Sequence, residues 1–177
     1  MSPASTRPLT GDAALAKLRQ LLPVFRSAML VTHPVDGSLE RAAPHARPMG
    51  LVGDLAAFDG TLWFFSDDRS RKIGEIAEQP RASLVLQSDR DHAYLHLVGR
   101  AGVVDDRDRM RDLYTPVLRT WFPEGLDDPH LTLIRFDADR AEYWDSPGGL
   151  LQVFGAFATA MVTGRPADAG DQGTLEL

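Results

Sequence analysis

The stretch from Trp63 to Pro80, WFFSDDRSRKIGEIAEQP, runs from an apolar segment through a charged turn into a short predicted helix. Ser70 is a good N-cap residue and Pro80 is a stop signal. The predicted buried face of this helix consists of Ile73, Ile76 and Ala77. Arg71 and Lys72 then fall in the first turn, where the helix dipole disfavours cations. This placement of charge needs an explanation.

Two explanations fit the charged turn. In the first, backbone N–H groups, the Ser70 hydroxyl and the two cationic side chains together bind a phosphate. In the second, the turn is a solvated surface in which Asp67 and Asp68 pair with Arg69 and Arg71. Taken alone, the turn favours the second explanation, because runs of charge usually face water.

Composition restricts the classes of function. The chain has 177 residues, a net charge of -6 and no cysteine, which indicates one domain without disulfides, thiolate catalysis or cysteine-bound zinc. An acidic chain is not expected to bind nucleic acid through a broad basic surface, and the five histidines lack metal-binding spacing. No apolar run approaches the ~20 residues of a membrane span. We therefore expect a cytoplasmic protein that binds neither nucleic acid, metal nor membrane.

The rest of the sequence predicts a mainly β (α+β) fold with flanking helices. Apolar and alternating segments predict strands over 27–33, 45–55, 60–66, 81–87, 92–104, 130–137 and 140–146. Helices are predicted after Thr10, with Thr10 or Asp12 as the cap, and over 149–164. A helical segment around Pro116 is predicted to have a kink there or to continue as a second helix capped by Thr115. Many short strands favour a small barrel over a parallel sheet. We expect a flexible tail over 1–11, one domain over 12–165 and a C-terminal tail over 166–177.

Arg47 strengthens the first explanation of the charged turn. It lies at the start of the strand that precedes WFFS, so it can approach Ser70 across neighbouring strands. Gly50, on the same strand, would let a planar ring lie close to the backbone. Each residue also has a simpler explanation, as a surface arginine and a bulge glycine.

Five segments occur together in an order that resembles a known family. They are RPM (47–49), WFFSDDRSRK (63–72), VGRAGVV (98–104), WFPEGLDDP (121–129) and AEYWDSPGG (141–149). From about residue 12 to its C-terminus, the chain resembles the pyridoxamine 5′-phosphate oxidase-like flavin-binding split-barrel superfamily, and most closely its general-stress-protein branch. The resemblance implies a six-stranded split β-barrel and a homodimer with FMN at the interface.

The resemblance also implies roles for individual residues. The phosphate group would be surrounded by Arg47, Ser70, Arg71 and Lys72. The isoalloxazine would be lined by the backbone of Met49, Gly50 and Leu51 and flanked by Phe65 and Ser66. Trp144 aligns with a tryptophan that reaches the flavin from the partner subunit, and Tyr94 stands where the oxidases carry a flavin-contacting glutamine. The catalytic residues are unknown.

Two departures from the family pattern limit the reaction. True pyridoxamine phosphate oxidases carry a lysine where this chain has Val52, and an R-x-H element where it has Leu150, Leu151 and Gln152. A substrate phosphate would lose its cationic partners, so we expect no meaningful pyridoxine-phosphate oxidase activity.

Several functions therefore stay open. The leading hypothesis is an FMN-dependent oxidoreductase of unknown substrate. The alternatives are a flavin-binding or sensing module without turnover, a split barrel that binds F420, FAD or haem, with the loop 121–129 shaping the ring end, and a structural dimer whose turn only makes salt bridges.

Overall fold

The computed structural model describes residues 8–33, 43–145 and 171–177. Three helices lie in these ranges: α1 (Asp12–Leu21), α2 (Arg71–Glu78) and α3 (Arg107–Leu113). The strands are β1 (Leu9–Thr10), β2 (Ser27–Thr32), β3 (His45–Gly50), β4 (Thr61–Asp67), β5 (Arg81–Ser88), β6 (Ala93–Val104), β7 (Leu131–Asp145) and β8 (Asp171–Glu176). The helix predicted over 149–164 lies outside the described residues. None of the described helices is long and apolar enough to cross a membrane.

The strands form one antiparallel sheet that almost closes on itself. Their order is β1-β8-β7-β6-β5-β2-β3, and β4 pairs with the first half of β7; only the short β1 runs parallel to its neighbour. The ends of the sheet meet near β3 and β4 through a single bridge between Val52 and Trp63. Six strands, β2 to β7, thus make a barrel that is split between β3 and β4. This confirms the predicted mainly β split barrel.

Alternation along the strands fills the barrel. Leu30, Leu84 and Leu97 lie side by side on β2, β5 and β6, and all three are fully buried. A second apolar cluster joins α3 and the turn after it to β4 and β7. Its buried members are Phe65, Met110, Leu113, Leu118, Leu131 and Leu133. This second cluster positions the segment that follows α3 beside the split.

The structure corrects three predicted boundaries. The N-cap of α1 is Gly11, at φ 54, and not Thr10 or Asp12, because this sharp turn suits a residue without Cβ. Strand β3 ends at Gly50 and does not continue to residue 55, because Gly53 has a positive φ of 88 and residues Leu55–Ala57 form a 3-10 helix. The strands predicted over 130–137 and 140–146 are joined in the single strand β7 (Leu131–Asp145), because β6 pairs with β7 along its whole length.

Pro116 interrupts the helical segment as predicted. Helix α3 ends at Leu113, and a separate 3-10 helix follows over Pro116–Thr120, with Thr115 at its N-cap and Pro116 at its first position.

The two predicted tails are partly ordered. Residues 171–176 form β8 at the edge of the sheet, and Leu9–Thr10 pair with it. The Lys17 ammonium lies 2.9 Å from an Asp171 carboxylate oxygen, and Leu175 is fully buried. Because this ordering depends on contacts between distant parts of the chain, the local sequence did not predict it.

We expect Gly99→Ala to destabilise the barrel. Gly99 lies at a β-bulge, and a Cβ there would come within 2.0 Å of the Asp137 carbonyl oxygen. Overpacking against backbone should lower the free energy of unfolding by about 3 kcal/mol, measured by urea denaturation. The matched control is Gly102→Ala on the same strand, where a Cβ meets nothing within 4 Å. Equal effects of the two substitutions would contradict this account.

Candidate functional site

A pocket of about 270 Å³ opens at the split in the barrel. Strands β3 and β4, the start of α2 and the turn after α3 form its walls. The lining residues are Pro48, Met49, Gly50, Phe65, Ser66, Asp67, Lys72, Leu118, Trp121 and Phe122. Polar residues gather at the α2 end and apolar residues at the other. We call this cavity the β3–β4 pocket.

Two hydroxyl groups lie where α2 begins. Ser70 is the N-cap residue, but its side chain makes no capping hydrogen bond. Its Oγ lies instead 3.2 Å from the Oγ of Ser66, a lining residue of the pocket. The positive end of the helix dipole and two hydroxyl groups therefore occupy the polar end of the pocket.

Lys72 supplies a cation to the same end. It lines the β3–β4 pocket, and no described residue accepts a hydrogen bond from its ammonium group or forms an ion pair with it. Burial lowers the pKa of Lys72, the nearby Arg47 guanidinium lowers it further, and Asp67 and Glu75 oppose the shift. A desolvated cation of this kind gains from an anionic ligand.

Glu75 collects the other cationic side chains. Its carboxylate is buried, with 6% of the side chain exposed, and receives four contacts. One oxygen lies 2.7 Å from His45 Nδ1 and 2.9 Å from Arg71 Nε. The other lies 2.5 Å from the Thr32 hydroxyl and 2.8 Å from an Arg47 nitrogen. These contacts fill the acceptor capacity of a carboxylate.

The charge of Glu75 is stabilised where it lies. Burial alone raises the pKa of its carboxyl group, but the hydrogen bonds from Thr32, His45 and Arg47 outweigh burial and leave the pKa below its ordinary value. Arg47 is held further by the Thr32 hydroxyl at 2.6 Å and the Leu30 carbonyl at 3.4 Å.

The solvated-turn explanation holds for only part of the charged turn. Asp67 accepts two hydrogen bonds from the Arg69 side chain, at 3.0 and 2.6 Å, and these hold the pKa of Asp67 well below its usual range. Asp68 contacts His130, at 3.0 Å. Arg71 pairs with Glu75 and with neither aspartate.

The structure brings most of the predicted flavin residues to one place. Met49, Gly50, Phe65, Ser66 and Lys72 line the β3–β4 pocket. The predicted phosphate residues Arg47, Ser70 and Arg71 lie beside it, connected through Glu75 or Ser66.

Three further predicted residues neither line the pocket nor have such a connection to it. Leu51 packs partly buried against the barrel core. Tyr94 and Trp144 lie opposite each other on β6 and β7, with 44% and 45% of their surfaces exposed. They belong to the outer face of the sheet.

The sequence predicted Ala77, and not Glu75, on the buried face of α2. In the structure Ala77 is exposed and Glu75 is buried. The i,i+4 spacing of Arg71 and Glu75 on one helix was an available signal, but nothing in the local sequence indicated that Thr32 and His45 reach the same carboxylate. Leu118 was missed as a lining residue, whereas Trp121 and Phe122 belong to the loop 121–129 that was expected to shape the ring end.

Comparison with known proteins gives a consistent result. A family model described as "Pyridoxamine 5'-phosphate oxidase like" matches residues 13–168. A crystal structure of a candidate general stress protein 26 from Jannaschia sp. CCS1 is 25% identical, with a TM-score of 0.73, and the match covers 91% of this chain and 96% of that one. The general stress FMN/FAD binding protein from Xanthomonas citri is 26% identical, with a TM-score of 0.62, over 79% of this chain and 94% of that one.

A curated relative matches over a shorter region. Protein bli-3 of Neurospora crassa is 25% identical over 114 residues, which are 60% of this chain and 54% of bli-3. The match therefore spans about half the length of that relative.

We expect Glu75→Gln to remove a pH-dependent contribution to stability. Because the pKa of Glu75 is lower in the folded protein than its ordinary 4.5, the ionised carboxylate stabilises the fold above that pH. The contribution is lost as the pH falls through the folded pKa. At pH 7 the substitution should cost about 3 kcal/mol, because it leaves the buried ends of Arg47 and Thr32 poorly paired.

Urea denaturation of the wild type and the variant between pH 7 and pH 3 measures this difference, which should shrink in acid. Glu78→Gln, at an exposed position of the same helix, is the matched control and should have little effect. A difference that grows as the pH falls would show that the sign is wrong.

Proposed function

This chain belongs to the pyridoxamine 5′-phosphate oxidase-like family, and we propose that it binds FMN in the β3–β4 pocket as a general-stress-type flavoprotein with a redox role. The observation that carries the proposal is the desolvated Lys72 beside the Ser66 and Ser70 hydroxyls at the start of α2. The name of the Xanthomonas citri relative, a general stress FMN/FAD binding protein, supports the choice of ligand.

The polar end of the pocket fits a phosphate group. The ammonium of Lys72, the two serine hydroxyls and the N–H groups of the first helical turn are all donors, which is what a phosphate requires. Asp67, the acidic lining residue, is paired with Arg69 and is therefore partly neutralised. The charged turn thus presents more positive than negative charge to a ligand in the pocket.

The remaining walls fit a flat aromatic ring. Met49 and Phe65 offer apolar surface from β3 and β4, and Leu118 and Trp121 offer it from the turn after α3. A Cβ at Gly50 would meet nothing within 4 Å, so the space beside this lining residue is open and a planar group can approach the backbone.

Bound FMN would supply the redox chemistry, and the protein would bind, orient and shield it. Val52 forms a backbone bridge with Trp63 and gives no cation to a substrate phosphate, which supports a reaction other than pyridoxine-phosphate oxidation.

We further propose that the protein is a homodimer formed through the outer face of the sheet. Met29 and Val85 lie opposite each other on β2 and β5, and 38% and 46% of their surfaces are exposed. Tyr94 and Trp144 extend the same face across β6 and β7. Apolar side chains on neighbouring strands suit a self-complementary contact with a second copy. A dimer of this kind would give Trp144 its expected role at the partner's flavin.

We expect Lys72→Ala to weaken FMN binding at least tenfold and to leave riboflavin binding within twofold, because riboflavin lacks the phosphate. Titration of the purified protein, followed by flavin fluorescence, measures both affinities. Arg90→Ala, at an exposed position in the turn after β5, makes the same change in net charge and should alter neither affinity. Wild-type protein that binds no flavin, or binds FMN no more tightly than riboflavin, would contradict the phosphate assignment.

We expect Val85→Glu to dissociate the dimer, because the substitution places a charge in an apolar contact. Analytical ultracentrifugation measures the mass of the wild type and the variant. Val103→Glu is the matched control, since Val103 is also 39% exposed but lies at the far end of β6. A wild-type monomer, or a Val85→Glu dimer as stable as the wild type, would refute the proposed interface.

A further inference from the structure

We propose that Glu75 is a positioning residue for the ligand phosphate: its carboxylate holds Arg47 and Arg71 in place beside the β3–β4 pocket before the ligand arrives. The inference rests on the proposed function, since it needs a phosphate-bearing ligand in that pocket. It assigns Glu75, a residue without direct contact to the pocket, the task of organising the residues that do the binding.

The Glu75 carboxylate lies between the two arginines. One Glu75 oxygen forms an ion pair with Arg71 at 2.9 Å, and the other accepts a hydrogen bond from Arg47 at 2.8 Å. Glu75 comes from the middle of α2, Arg71 from its first turn and Arg47 from β3. The carboxylate therefore connects the strand to the start of the helix, and the two arginines are next in the chain to the lining residues Pro48 and Lys72.

Arg47 is held in place by hydrogen bonds from both of its terminal nitrogens. One terminal nitrogen donates to the Thr32 hydroxyl at 2.6 Å and to the Leu30 carbonyl at 3.4 Å, and the other donates to Glu75. The guanidinium is planar, so these attachments fix its plane as well as its position. Its remaining N–H groups have no acceptor among the described residues and stay available to a ligand.

Arg71 is held more loosely. Its Nε forms an ion pair with Glu75, while 70% of its side chain is exposed and its two terminal nitrogens have no acceptor in the described part of the chain. Glu75 thus contacts one edge of each guanidinium and does not occupy the other edges. This is the arrangement expected when a carboxylate orients arginines for a second anion.

The charge of Glu75 also offsets repulsion between the cations around it. Arg47 lies close enough to Lys72 to depress the pKa of that lysine, and Arg71 precedes it in the chain. Arg47 and Lys72 therefore repel each other when no anion is present. Glu75 offsets that repulsion and keeps the cations together, so the ligand does not have to assemble the site as it binds.

The test compares FMN with riboflavin in the full-length chain. Glu75→Ala should weaken FMN binding at least tenfold and leave riboflavin binding within twofold, because only the phosphate uses the positioned arginines. Glu78→Ala, on the exposed face of α2, is the matched control and should change neither. A purely structural role would weaken both flavins together, so the ratio of the two affinities is the decisive measurement.

A second variant keeps the test decisive if Glu75→Ala does not fold. Thr32→Val removes the hydroxyl that donates to Glu75 and accepts from Arg47, and it keeps the shape and the charge of the site. It should weaken FMN binding several-fold without affecting riboflavin. Thermal denaturation checks that each variant is folded.

Each outcome has one meaning. A loss specific to FMN supports the inference. Unchanged or tighter FMN binding in folded Glu75→Ala or Thr32→Val overturns it, and so does an equal loss for both flavins; the proposed function survives either result. Wild-type protein without a preference for FMN overturns the proposed function, and the inference fails with it.

Discussion

A buried carboxylate that is hydrogen-bonded to Thr32, His45 and Arg47 and ion-paired with Arg71 is the interaction on which the rest of the site depends. Glu75 is the point where β2, β3 and α2 meet, because Thr32 and Arg47 donate hydrogen bonds to it and Arg71 forms an ion pair with it. A buried charge without partners would be costly. With both arginines and the Thr32 hydroxyl in place, the same charge connects a helix to two strands and fixes where that helix begins.

The split in the barrel makes room for a ligand. Were β3 and β4 paired along their length, the sheet would close and the β3–β4 pocket would not exist. They meet in one bridge at Val52 and Trp63, and the turn after α3 covers part of the opening with Leu118 and Trp121. The pocket is therefore a consequence of incomplete strand pairing, with α2 at one end and an apolar wall at the other.

Sequence and structure agree best where a pattern is local. The alternation of β5 and the break at Pro116 were both readable from neighbouring residues, and the structure has both. The edge strand β8 was not, because its order depends on Lys17 and on the far end of β7.

By itself, the sequence determined the type of fold, the charged turn and the family, because these depend on residues close together in the chain or on motifs in a fixed order. Only the tertiary structure decided how the cations are used. Lys72 faces the pocket, whereas Arg47 and Arg71 are bound by a glutamate that the sequence placed among ordinary helical residues. The physical reason is that pairing of buried charges depends on distance in space. Thr32, His45, Arg47 and Glu75 become neighbours only when the sheet has formed and α2 has packed against it.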